Sequence, residues 1–242
     1  MIDHDPVEIK VNIGGNVDRA LTVLGLGEGR ARKVWFLDDL TEGLQEPLPL
    51  LTENIILRLR RRDNGKEDST IKLRPCRRSQ LAGKWAAAPP DDERYRIEGD
   101  WSRSRHVLAA SCVADLERGT IENVLDGSGR IADLFSDIQR EFLADCGQIR
   151  VALGAVTVLG ARAIVATQWK DLSVGRVPAV VAERWTLDEL DFLELSIRVD
   201  SGAEAAAAQH ALHDEVVSQG LEFANTDLPK TQLVMRRLAG LD

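Results

Sequence analysis

An antiparallel α+β fold, with a curved sheet or barrel whose charged side chains point inward, is predicted by three observations. Several segments alternate apolar and polar residues with the two-residue period of a half-buried strand. The polar places in those segments are filled mostly by charged residues. Finally, the elements run as strands, one helix, more strands and then helices, without the strand–helix alternation of a parallel sheet.

The first run, Val7 to Ile13, puts Glu8, Lys10 and Asn12 on one face and is closed by Gly14-Gly15. Asn16 is placed to cap a helix through Val17, Ala20, Leu21 and Leu24, which Gly25, Gly27 and Gly29 end. Arg32 to Asp39 reads as a short strand entering a loop punctuated by Pro47 and Pro49. Ile55 to Arg62 and Ser69 to Arg74 are two alternating runs around Asn64-Gly65, a hairpin signal. Such a hairpin gathers Arg58, Arg60, Lys72 and Arg74 on one face. Arg94 to Trp101 is a further strand with Arg94, Arg96, Glu98 and Asp100 together. Val107 to Val113 and Thr120 to Leu125 read as weaker strands or connections. Ile131, Leu134, Phe135, Ile138 and Phe142 follow the spacing of one amphipathic helix, ended by Gly147. Strands are then expected at Arg162 to Trp169, Pro178 to Trp185 and Leu193 to Val199, with Glu194, Ser196 and Arg198 on one face of the last. A turn falls around Asp171 to Arg176. Ser201 can cap a helix from Ala203 to Ser218, ending at Gly220, and a short helix runs from Thr231 to Leu238.

Composition narrows the function. With 242 residues, 44% hydrophobic and 29% charged, the chain can bury a real core and is unlike disordered, collagen-like or coiled-coil sequences. Thirty-one bases against 39 acids give a net charge of -8, which argues against a generally basic nucleic-acid binder. Yet from Arg58 to Arg78 nine basic residues meet only Asp63, Glu67 and Asp68, so a local positive field is expected there. Cys76, Cys112 and Cys146 show neither metal-finger spacing nor a disulfide framework, which points to a reducing compartment. With no leader-like N-terminus and no long apolar run, a cytoplasmic protein with no membrane contact is expected.

Taken in order, the charged motifs resemble the CYTH family, the triphosphate tunnel metalloenzymes. They are Glu8 with Lys10, Trp35-Phe36-Leu37-Asp38, Leu57-Arg58-Leu59-Arg60, Thr70-Ile71-Lys72, Arg96-Ile97-Glu98-Gly99-Asp100, Arg162, Glu183, Phe192 to Ser196 and Pro229-Lys230-Thr231. The resemblance covers nearly the whole chain and implies one tunnel domain over residues 1–242. In fold class it implies α+β, an antiparallel eight-stranded β-barrel with flanking helices. It further implies a substrate-binding set of Lys10, Arg58, Arg60, Lys72, Arg74, Arg96, Arg162 and Lys230. Glu8, Glu98, Asp100, Glu183 and Glu194 would be ligands of Mg²⁺ or Mn²⁺, with Glu8, Glu194 and Lys10 the catalytic residues. The chemistry is coherent, because clustered bases neutralise phosphate oxygens while hard cations take carboxylate oxygens and bridge to the substrate. The expected partner is a small triphosphate or polyanion. A long nucleic acid is disfavoured, and a homodimer is left open.

The chain departs from the family pattern where carboxylates are concerned. Pro6 replaces the first glutamate of the opening motif, Ser196 replaces the second acid of the late pair, and Asp39 stands where threonine is expected. The binding half is thus better kept than the catalytic half. Three readings stay open: a metal-dependent phosphoanhydride hydrolase, a non-catalytic phosphate- or nucleotide-binding protein, and an interaction module closed by internal ion pairs. Arg61, Arg62, Arg77 and Arg78 read as solvated surface charge, and His4, His106, His210 and His213 are too scattered for a metal site. Gly25-x-Gly27-x-Gly29 follows a helix and precedes a strand, the reverse of a dinucleotide fingerprint, and reads as a turn. Trp101, Trp169 and Trp185 read as core or rim aromatics.

Overall fold

The computed structural model describes residues 5–41, 46–88, 94–103, 105–225 and 228–241. In chain order its elements are β1 (Val7–Ile13), α1 (Val17–Val23), β2 (Arg30–Asp38), α2 (Pro49–Thr52), β3 (Ile55–Arg62), β4 (Glu67–Cys76), β5 (Tyr95–Ser102), β6 (Arg105–Leu116), α3 (Thr120–Leu125), α4 (Asp137–Cys146), β7 (Thr157–Val158), β8 (Ile164–Val174), β9 (Val177–Leu187), β10 (Leu190–Val199), α5 (Gly202–Ser218) and α6 (Lys230–Leu238). The class is α+β with mostly antiparallel strand pairing, as expected. Among the described residues no helix is long and apolar enough to cross a membrane.

The chain divides into two compact units. The first comprises Met1–Arg32, Glu98–Val107 and Ile164–Lys230; the second comprises Lys33–Ile97, Leu108–Ala163 and Thr231–Asp242. In the first unit β1 pairs parallel with β5 and antiparallel with β10, which pairs with β9, which pairs with β8. Strand alternation makes this sheet two-faced. Val7, Ile9, Val11 and Ile13 of β1, with Leu193, Leu195 and Ile197 of β10, join a buried core with Val17 and Ala20 of α1 and Ala205, Leu212 and Val216 of α5. The intervening residues form the opposite, polar face. Gly14 has a steric reason: a Cβ there would lie 2.7 Å from the Phe223 carbonyl oxygen, where the segment after α5 bonds across the end of β1 through Gly14 N to Glu222 O and Ala224 N to Asn12 O.

In the second unit β3 pairs antiparallel with β4 and also with β2, β4 pairs with β6, and β2 pairs with β7. Leu57, Leu59, Ile71 and Leu73 are fully buried or nearly so. Phe142 of α4 packs edge-on with Trp85 and Tyr95, at centroid distances of 5.2 and 5.6 Å. Buried Gln139 ties α4 to the sheet, donating to Ser69 O and Cys112 O at 3.1 Å each. Both Cys76 and Cys146 lie in this interior, and burial pushes each thiol up to about 11.

Some boundaries differ from the sequence reading for local reasons. Thr120–Leu125 is helical, not a strand or connection, with Gly119 in the left-handed region just before it. The single helix expected from Ile131 is broken into a 3₁₀ turn at Ile131–Leu134 and α4, because Ser136 and Gln139 form a capping box that starts a new helix. Ser201 precedes α5 but its side chain makes no capping bond. Asn16 does cap α1, accepting from Arg19 N. The strand expected from Arg162 begins at Ile164, leaving Arg162 exposed after a short 3₁₀ turn.

Candidate functional site

In the second unit, hairpin register decides where the basic residues go. Arg62 N bonds Lys66 O and Gly65 N bonds Arg62 O, so Asp63, Asn64 and Gly65 make a three-residue loop, with Gly65 at φ +78°. Arg60 therefore faces Asp68, Arg58 faces Thr70 and Ile56 faces Lys72. A two-residue Asn64-Gly65 loop would instead pair Arg60 with Ser69 and send Lys72 to the other face, since a one-residue slip flips every side chain. With the observed register Arg58, Arg60, Arg62, Lys72 and Arg74 share one face, and Asp68 is the one carboxylate that β3 and β4 place among them.

Asp68 is 1% exposed and organises that face. Its Oδ2 accepts from Arg60 Nε at 2.9 Å and from Arg62 Nη2 at 3.2 Å, while its Oδ1 has no hydrogen-bond partner. Arg58 Nη2 donates to Thr70 Oγ1 at 3.1 Å. Lys72 and Arg74 are half-buried along the same strand, and Arg96 is half-buried on β5. Arg61, expected in solvent, turns the other way: it bonds buried Glu67 at 2.6 Å and lies 5.8 Å from the Trp35 ring centroid. Arg62 likewise is engaged with Asp68, whereas Arg77 and Arg78 are exposed as expected.

In the first unit the polar face carries the remaining predicted residues except Arg162, which is exposed in the second unit. Register sets Glu8 opposite Arg198 on one side and Asp100 on the other, and sets Glu194 opposite both Asn12 and Glu183. Lys10 Nζ lies 2.8 Å from Glu8 Oε2 and 2.7 Å from Asp100 Oδ2. Glu98 accepts from Arg198 at 2.5 Å. Lys230 Nζ stands 3.1 Å from Glu194 Oε1, 3.4 Å from Glu183 Oε2 and 4.2 Å from the Trp185 ring centroid. Trp185 Nε1 donates to Glu183 at 2.7 Å, and Arg32 lies 3.5 Å from the other Glu183 oxygen while also bonding Gln168.

All five carboxylates assigned to a divalent cation are thus engaged by lysine or arginine. Among the described residues no three His, Cys, Asp or Glu side chains converge in a group able to hold a metal ion. Each of the five carboxylates already has a basic partner, which lowers the negative charge they offer to Mg²⁺ or Mn²⁺. Sequence reasoning missed Asp68, Arg32 and the role of Trp185. The signal for Asp68 was its place eight residues after Arg60 around a three-residue loop; nothing in the sequence alone joins Trp185 to Lys230.

Asp38, read as part of a family motif, is a buried turn anchor. Its carboxylate accepts from Leu50 N at 2.9 Å, Leu51 N at 3.0 Å and Asp39 N at 2.8 Å. Burial raises its pKa above the ordinary value, with the three backbone bonds opposing the rise. It fixes the start of α2 and points to no ligand.

No family model matches the sequence, and no curated protein matches it either. Solved structures do. HpAC1 from Hippeastrum, a candidate adenylyl cyclase whose structure is said to reveal a dominant triphosphatase activity, superposes with a TM-score of 0.61 at 14% identity, covering 96% of this chain and 95% of that one. A candidate adenylate cyclase from Vibrio parahaemolyticus gives 0.46 at 13% identity, over 96% and 98% of the two chains. The PH1819 protein from Pyrococcus horikoshii OT3 gives 0.48 at 12%, over 95% and 99%. On the first of these matches, which spans both chains almost completely, the chain shares the fold of HpAC1.

Proposed function

We propose that the chain binds a triphosphate-containing small molecule, or a comparably compact polyanion, on the basic face of the β3–β4 hairpin. The observation that carries this reading is the register that gathers Arg58, Arg60, Arg62, Lys72 and Arg74 beside Asp68, the one carboxylate that β3 and β4 themselves contribute to that face. Guanidinium groups bind phosphate oxygens in bidentate fashion, and each such charge-assisted bond contributes about 1.5–3 kcal/mol. Asp68 holds Arg60 and Arg62 in place before a ligand arrives, which lowers the entropy lost on binding. The overall acidity of the chain favours a small polyanion over a long one.

Hydrolysis of a phosphoanhydride is the second reading. It is supported by the fold shared with HpAC1, of which triphosphatase activity is reported. The pairing of Glu8, Glu98, Asp100, Glu183 and Glu194 with basic side chains supports binding without turnover instead.

A thermal-shift panel of tripolyphosphate, thiamine triphosphate, nucleoside triphosphates and pyrophosphate tests the binding reading. A phosphate-release assay on the same compounds, with Mg²⁺ and with Mn²⁺, separates the two readings. A rise in Tm with at least one triphosphate is expected, since a ligand that binds only the folded state stabilises it. No shift with any of them at low salt would overturn the proposal.

A further inference from the structure

Glu183 and Glu194 face each other directly on neighbouring antiparallel strands, an arrangement that like charges disfavour. Lys230 resolves it. Its side chain is 6% exposed, and its ammonium touches both carboxylates and lies over the Trp185 ring. A lysine at the first residue of a helix is opposed by the helix dipole, so α6 itself does not call for one there; the two glutamates do. Trp185 is a positioning residue in this arrangement, holding Glu183 through Nε1 while its face receives the ammonium. Lys10 does the same work between Glu8 and Asp100.

We propose that Lys10 and Lys230 are the resident cations of this polar face, so that it takes no divalent ion and the polyanion binds without one. The second half of that statement rests on the binding reading above; the first does not. Charge explains the exclusion. Affinity of an oxygen site for a divalent ion depends on the converging negative charge, and here Lys230 with Arg32 balances Glu183 and Glu194, Arg198 balances Glu98, and Lys10 offsets one of the two charges of Glu8 and Asp100. A metal would have to displace an ammonium that is tethered and nearly enclosed.

Titration of the whole chain with Mn²⁺ alone, followed by the electron paramagnetic resonance of free Mn²⁺, tests the inference without any polyanion present. Failure of polyanion binding therefore leaves it readable. The wild type is expected to bind no Mn²⁺ below about 1 mM, the weak end of protein oxygen sites. Lys230→Met is expected to bind at least about tenfold more tightly, as it removes the ammonium that lies between the two facing carboxylates. Should that variant fail to fold by circular dichroism, the wild type with Glu194→Gln and Glu8→Gln decides alone. Absence of binding, or binding that neither glutamine changes, supports the inference. Mn²⁺ binding by the wild type that either substitution weakens would overturn it.

Discussion

Glu183 and Glu194 stand opposite each other on β9 and β10, and the ammonium of Lys230 lies within 3.4 Å of both. Two acids on adjacent strands are held together by a base that arrives from a different element, at the first residue of α6. Removing the base should therefore cost more than a surface ion pair. For Lys230→Met we expect a loss of about 3 kcal/mol in urea unfolding, the cost of stranding a buried charged partner. Adding Glu183→Gln to that variant should recover part of the loss, because the repulsion is then gone; two additive losses would contradict the pairing.

The three-residue loop at Asp63 to Gly65 makes a second prediction. Gly65 has φ +78°, and a Cβ there would lie 3.1 Å from the Arg118 guanidinium carbon. Gly65→Val should lower stability by about 2 kcal/mol in urea unfolding, since a branched side chain is strained in the left-handed region. It should also weaken tripolyphosphate binding, because the register that gathers the bases depends on that loop. Unchanged stability would show that the loop does not need glycine.

His213 gives the fold a pH dependence. It sits in α5 with its ring 5.1 Å from that of Phe223. Burial holds its pKa below the ordinary 6.5, Arg103 and His210 act in the same direction, and Asp214 opposes them. The folded state then binds fewer protons than the unfolded one, so stability is full above the unfolded value and falls as pH drops through 6.5 toward the folded value. Urea midpoints measured from about pH 7 to about pH 5 should fall for the wild type and fall less for His213→Leu. Parallel slopes would contradict this.

Much of the fold was legible because alternation and capping are local signals. Val7–Ile13 and Leu190–Val199 bury every second residue along most of their length, and α5 and α6 lie within a residue of their expected starts. The break at Ser136 was hidden by the apolar spacing from Ile131 to Phe142, which continues across the interruption; the capping box that causes it was readable but weaker. The basic hairpin face was foreseen from side-chain parity, yet that parity holds only because the loop has three residues. Partners were the least visible part. Lys10 with Asp100, Arg198 with Glu98 and Lys230 with Glu194 are separated by 90, 100 and 36 residues. No motif reports such pairings, so carboxylates that suggested metal ligands turned out to have basic neighbours.

The central claim is that the β3–β4 face holds a compact polyanion. Calorimetric titration of tripolyphosphate at low salt, into the wild type and into Arg58→Ala/Lys72→Ala, tests it most directly. A saturable isotherm is expected for the wild type and affinity weaker by about 100-fold for the double variant, the loss of at least one strong charge-assisted contact. A wild type that shows no binding, or a double variant that binds as tightly, would contradict it.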